Sequence, residues 1–350
     1  MRRRGFLQSV GAATALGTVA RVAPADDARR RYENTLRPIP NPGPILADWP
    51  EFVAPITETA RFEAPMLVDD PEGDLNVRAW RFSYNARGII EVPNRLRGDR
   101  TALIVVHPWG IDDGQGWRTP EPAGVAFQCT PAKNAIVLDH ARRVVNPLLR
   151  RLRSHLRVVG YSLPGHEDPI RAALYRSVHQ TPPPEGRAAA QRRLEATLNA
   201  FDYRGAPVAE TIEVDRDRPT LAYFQGFRGL DSGPRHDPAG FWTLPVPVMK
   251  TIDVDPGDYV FYDNDGYPLL RDFLKKQDVC HVLLAGYNTD MCVCKTTAGY
   301  ENLRKDFDVF LVGDATIATF PANPSPSLAT NAAVSFAALD LFITQGSWVK

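Results

Sequence analysis

Residues 281–314, HVLLAGYNTDMCVCKTTAGYENLRKDFDVFLVGD, decide the fold. An apolar run at Val282–Ala285 is followed by a break at Gly286-Tyr287-Asn288. An amphipathic segment then spans about Met291 to Arg304, and a second apolar run follows at Val309–Val312. This pattern predicts a strand, a helix and a parallel strand joined by a right-handed crossover. Ligands of such units bind outside the carboxyl ends of the strands. Cys292 falls where the first strand hands over to the helix. Unpaired backbone N–H groups and the positive end of a helix dipole favour thiolate there, which is what a cysteine nucleophile requires. The competing reading is a small buried apolar residue, since free cysteine is among the most buried types.

Gly286-Tyr287-Asn288-Thr289-Asp290-Met291-Cys292-Val293, with Thr296 four residues beyond the cysteine and Gly313-Asp314-Ala315 closing the next strand, resembles the nucleophile region of the isochorismatase-like cysteine hydrolases. The resemblance is specific over the last third of the chain and weaker back to about Thr101. It implies a three-layer α/β/α sandwich with a mostly parallel sheet and hydrolysis of a C–N bond in a small amide or ureide. Cys292 would be the nucleophile, and no cofactor is implied. It also implies a cis peptide at Tyr287–Asn288, and an oxyanion hole from backbone N–H groups of about Met291 and Cys292, with Tyr287 and Asn288 beside it.

Thr101–Val106 is a continuous apolar run of the buried parallel type, ending at His107-Pro108-Trp109-Gly110. Members of the resembled family end this strand in an aspartate that serves as general base; here His107 stands in its place. A neutral imidazole can deprotonate a thiol as a carboxylate can, so His107 reads either as the base for Cys292 or as a strand cap. Trp109 is a candidate pocket residue. Asp112 and Asp113, in the Gly-rich loop that follows, read as pocket or orienting acids, or as plain turn formers. Asp258–Asp263 leads the third core strand, where the family carries a lysine and this chain has none. The nearest equivalents are Tyr262, Asp263 and Asn264. Asp263 reads as the carboxylate that orients His107, or as a turn residue.

Helical spacing over Asn134–Ser154 predicts the first crossover helix, with a bend at Pro147, and Leu156–Tyr161 the second buried strand. His166-Glu167-Asp168 after it are metal-ligating types, but consecutive residues do not easily share one ion and the nicotinamidase branch's Asp-x-His spacing is absent. His166 is therefore only a weak metal candidate. Residues 169–246 form an insertion with a helix at Arg187–Asn199 and an aromatic loop at Gln225–Asp231. It reads as a lid or pocket wall, or as a decorative subdomain, a homo-oligomer contact or a partner-binding surface. A helix is expected at Pro268–Lys276 and a last one at Ser327–Phe342. Upstream, Asn76–Tyr84 and Gly88–Pro93 predict a β-hairpin in a Pro-rich extension over 26–98, before a hydrolase domain over 99–345.

The first 25 residues, with Arg3-Arg4-Gly5-Phe6-Leu7, a mildly apolar run and Ala23-Pro24-Ala25, read as a twin-arginine signal peptide. The expected partner is then the twin-arginine export machinery, and the expected location periplasmic or extracellular. A small-molecule substrate is the other expected partner. With 41 basic and 41 acidic residues, formal charge is +0, which argues against a nucleic-acid or anionic-membrane partner after processing. Four cysteines make no disulfide framework in a chain this long. If one bridge forms, Cys129–Cys280 is the pair that spares Cys292, and Cys294 reads as packing. The alternative to a hydrolase is a non-catalytic relative that binds a small molecule or protein.

Overall fold

The computed structural model describes residues 30–109, 131–201, 211, 213–220, 244–318 and 342–350. The leader, Asp112, Asp113, Cys129, the Gln225–Asp231 loop and all but the end of the expected last helix lie outside these. Residues 35–350 form one compact unit, separate from residues 1–34. Among the described residues no helix is long and apolar enough to cross a membrane.

The unit is built on an 11-stranded sheet. Its centre holds the expected buried runs: β5 (Thr101–Val106), β6 (Val158–Leu163), β8 (Tyr259–Tyr262), β9 (His281–Tyr287) and β10 (Asp308–Ile317). Every residue of β5 and β6 is buried. That is why these strands read as unbroken apolar runs, since a parallel strand covered on both faces has no polar side to display. With β7 (Arg176–Ser177) and β11 (Phe342–Thr344), they run in the order β11-β10-β9-β5-β6-β8-β7, all pairs parallel. From β5 the chain winds outward through β6 to β8, then returns to β9 on the other side of β5 and winds the opposite way. Right-handed crossovers in opposite directions put helices on both faces, giving the expected layered α/β fold. The strand order reverses between β5 and β9, and the crevice at such a reversal is where ligands bind in open α/β sheets.

The expected hairpin is present as β3 (Leu75–Ser83) and β4 (Gly88–Leu96), paired antiparallel throughout. It covers the β11 edge of the parallel sheet. Trp80 of β3 pairs antiparallel with Ile343 of β11, so the hairpin continues the main sheet, followed by β2 (Arg61–Glu63) and β1 (Arg37–Pro38). Phe342, expected to end a helix, begins β11 instead. Buried Arg61 and Glu91 form an ion pair between β2 and β4, and Arg61 also donates to the Gly43 carbonyl at 2.7 Å, tying in the Pro-rich segment.

The first crossover helix is irregular, though not at Pro147. An α-helix over Pro131–His140 passes into a π-helical turn at Ala141–Val145 before Asn146–Leu152 resumes α geometry. The helix at Arg187–Asn199 stands where the sequence places it. One departure bears on the site: the segment after Cys292 is not one helix. It is two four-residue turns, Cys292–Lys295 and Tyr300–Leu303. Thr296 is extended, its hydroxyl donating to the Cys292 carbonyl at 2.8 Å. Such side-chain bonds compete with helix continuation. A Cβ on Gly299 would lie 2.8 Å from the Lys295 nitrogen, so the chain packs tightly where it turns.

Candidate active site

His107, Asp263 and Cys292 leave the carboxyl ends of β5, β8 and β9, and the fold brings the three together. At β5, the His107 N–H donates to the Ser162 carbonyl of β6 (3.0 Å) and the Trp109 N–H donates back to the His107 carbonyl (2.9 Å). His107 itself adopts φ 45°, a left-handed conformation uncommon outside glycine. It is 5% exposed. Beside it, Val106 pairs with Gly286 of β9. Gly286 has φ 106°, and a Cβ there would lie 2.2 Å from the Val106 oxygen. Only glycine lets the two strand ends approach this closely.

Asp263 opens a 3-10 turn, Asp263–Asp265, directly after β8. Its carbonyl accepts from the Thr297 hydroxyl at 2.6 Å, joining this turn to the segment that carries the cysteine. The His107 Nε2–H donates to Asp263 Oδ2 at 2.8 Å. With Nε2 so engaged, Nδ1 is the ring nitrogen left for the Cys292 side chain, the other group that acts on the imidazole. Burial by itself would depress the His107 pKa. The Cys292 thiolate and the Asp263 carboxylate together outweigh it and push the imidazole up to about 10. The second oxygen of Asp263, Oδ1, is buried and accepts no hydrogen bond from the described residues.

The turn bearing Cys292 is fastened by its backbone. The Asn288 carbonyl accepts from both the Met291 N–H (3.0 Å) and the Val293 N–H (3.1 Å). Thr289 is pinned to β10, its N–H to the Ile317 carbonyl (3.0 Å) and its hydroxyl to that of Thr316 (2.6 Å). The Tyr287–Asn288 peptide is cis. The Met291 N–H, expected as an oxyanion donor, is engaged by the Asn288 carbonyl. The Cys292 N–H has no acceptor among the described residues. A four-residue helix also carries little macrodipole, so the helix dipole expected from the sequence contributes little at Cys292.

Other residues named from the sequence have the following partners and exposure. Tyr287 is fully buried, and its hydroxyl donates to His140 Nδ1 at 2.7 Å. Trp109 is 2% exposed and Asn288 is 4% exposed. Asp168 caps the helix Pro169–Leu174, accepting from the Ile170 and Arg171 N–H groups at 2.9 and 3.0 Å, and pairs with buried Arg171. Arg171 also donates to the Pro164, His166 and Val246 carbonyls and lies over the Tyr262 ring. The 164–168 loop is thus held by a guanidinium. His166 is largely exposed, its Nδ1 3.8 Å from Asp265 Oδ1. No group of metal-holding side chains occurs among the described residues. Cys280 is a free thiol that accepts from Arg100 at 2.8 Å, so it supplies no half of a bridge. Cys294 is buried, as expected. Sequence reasoning missed Thr297 and His140; neither carries a local signal, since both act on partners distant in sequence.

Fold and site together define an α/β protein with a cysteine–histidine–aspartate constellation at the switch point of its parallel sheet. A family model for the isochorismatase domain matches residues 176–339. That span, somewhat under half of the chain, contains Asp263 and Cys292 but not His107. No curated protein sequence matches. Among solved structures, an isochorismatase family protein from Desulfovibrio vulgaris is 14% identical, covering 71% of this chain and 95% of its own, with a TM-score of 0.35. A cysteine hydrolase from Pseudomonas syringae is 16% identical over 72% of this chain and 91% of its own, at TM-score 0.35. The nicotinamidase of Bacillus subtilis is 15% identical over 70% and 99%, at TM-score 0.32. At these values the chemistry must be judged from the residues of this chain.

Proposed function

We propose that this protein is an isochorismatase-like cysteine hydrolase that cleaves a C–N bond in a small amide or ureide. The observation that carries it is the placement of His107, hydrogen-bonded to Asp263 at 2.8 Å, with the Cys292 side chain as the other group that acts on the ring. A nucleophile, a base in reach and a third group fixing the base's tautomer make up the arrangement that activates a cysteine. With the proton already held on the His107 imidazolium, the Cys292 thiolate attacks the carbonyl carbon. The resulting S–C bond replaces the C–N bond as the imidazolium returns the proton to the leaving nitrogen. Water, deprotonated by His107, then cleaves the thioester and restores the thiol. The Cys292 N–H is a donor for the developing oxyanion. An N–H of the substrate would satisfy Asp263 Oδ1, which supports an amide or ureide. The leader would deliver the folded enzyme to the periplasm.

Alkylation of Cys292, followed over pH in wild type and His107→Ala, tests the pair. Wild type should react below the pH range of an ordinary free thiol, and the variant should not. Equal, ordinary reactivity in both removes the mechanism and leaves the non-catalytic alternative. Incubation with simple amides and ureides should then release ammonia or amine and leave a thioester on Cys292 that mass spectrometry detects.

A further inference from the structure

The site described so far stops at Asn288, yet the residue before it leads to a buried group that the chemistry does not use. His140 is fully buried at the end of the Pro131–His140 helix, where the π-helical turn begins. Its Nδ1 accepts from the Tyr287 hydroxyl at 2.7 Å, and its Nε2–H donates to the Asp314 carbonyl at 2.8 Å. The ring meets Phe52 and Tyr287 edge-on, with centroids 5.0 and 5.5 Å away. Asp314 lies where the β9–β10 register slips, between the Leu311–Leu284 and Thr316–Gly286 pairs. A single imidazole therefore spans the irregular ends of two strands. Burial pushes its pKa down to about 4, so at neutral pH it keeps one acceptor and one donor nitrogen, as both bonds require.

We propose that His140 is a positioning residue for Cys292, acting through the Tyr287 hydroxyl. This rests on the cysteine-hydrolase reading. The turn that carries the nucleophile has two anchors. Thr289 fastens it to β10 on one side, and Tyr287, held by His140, fixes it on the other. Between them, the Asn288 carbonyl receives the Met291 and Val293 N–H groups, so its position sets that of Cys292 against His107. Packing alone can bury the Tyr287 ring. The hydroxyl bond is what stops the ring, and the peptide after it, from sliding along the strand. A displacement of about 1 Å at a reacting group costs on the order of 10²-fold in rate.

The test is the alkylation rate of Cys292, located by peptide mass spectrometry, in Tyr287→Phe, His140→Phe, the double variant, His140→Gln and His107→Ala. Near-UV circular dichroism checks that each is folded, and Tyr287→Phe is the variant that keeps the core volume intact. Below the range of an ordinary free thiol, each Phe variant should react about 10-fold more slowly than wild type, and the double no more slowly than either single. Their rates at about pH 9, where a thiol needs no partner, should match wild type. His140→Gln, which retains a donor and an acceptor, should recover most of the loss. A purely structural role would not separate the two ends of the pH profile. If Tyr287→Phe and His140→Phe both follow wild type while His107→Ala falls, the positioning role is wrong and the hydrolase reading stands. If His140→Phe falls and Tyr287→Phe does not, the route through Tyr287 is overturned. A flat response in all, His107→Ala included, sinks both.

Discussion

His107 should be an imidazolium at neutral pH, and its partners should be separable. An ordinary histidine titrates near 6.5, and here the value is pushed up to about 10. At 1.36 kcal/mol per pKa unit, that is on the order of 5 kcal/mol favouring the charged ring, net of burial, which opposes it. Of the raising influences the Cys292 thiolate is the largest and the Asp263 carboxylate the next. Cys292→Ala should therefore bring the His107 titration down, and so should Asp263→Asn. With both substitutions only burial remains, and the ring should titrate below 6.5. Long-range proton–nitrogen NMR of the imidazole rings reads this directly. The chain has 7 histidines, and the His107 signal is assigned by its loss in His107→Gln. A wild-type His107 that is neutral at pH 7, or one that Cys292→Ala leaves unmoved, would refute the coupled site.

Gly286→Ala should be among the most damaging single changes: its Cβ would sit 2.2 Å from the Val106 oxygen at a φ of 106°. A loss of about 4 kcal/mol or more is expected in urea denaturation, against about 1 kcal/mol for an ordinary substitution. Asp314 gives a pH-dependent case. Burial raises its carboxyl from 3.8 to about 6, so the native state holds a proton that the unfolded chain has released, and ionising the buried group costs stability above that range. Asp314→Asn should be more stable than wild type by on the order of 3 kcal/mol at pH 7. That advantage should vanish as pH falls to about 4, measured by urea midpoints at both pH values.

The central strands were legible because burial on both faces leaves no polar alternation: β5 reads as Thr101–Val106 and is observed as Thr101–Val106. Cys292 was legible from the handover of β9 to the next segment. The continuity of that segment was not. Its apolar spacing suits a helix, but the Thr296 hydroxyl and the close packing at Gly299 break it, and both depend on neighbours. The link between His107 and Asp263 spans 156 residues, and that between His140 and Tyr287 spans 147. No local pattern encodes contacts of that range. Strand ends made His107 and Asp263 candidates because a parallel sheet gathers its carboxyl ends on one side. Nothing comparable marked His140, which lies mid-chain on an amphipathic helix.

The substitutions that set this chain apart from the resembled pattern make sense only when taken together. That pattern has a carboxylate after the first strand and a lysine after the third, around the cysteine. Here the first position holds His107 and the third Asp263. Considered singly, each loses a catalytic type, and a carboxylate in place of the lysine would work against a thiolate. As a pair they keep one cation and one anion around the sulfur, with the two exchanged between strand ends. His107 is pushed up to about 10 in the presence of both neighbours, so on the proposed hydrolase reading it would supply the positive charge the lysine carries in that pattern while remaining able to give and take a proton. Asp263 then has no need to act as the base. Its 2.8 Å bond to Nε2 leaves Nδ1 to the thiol, so on that reading the two departures would compensate each other. Replacing either alone should be worse than never having had it, because His107 without Asp263 loses its tautomer and Asp263 without His107 is a bare negative charge beside the nucleophile.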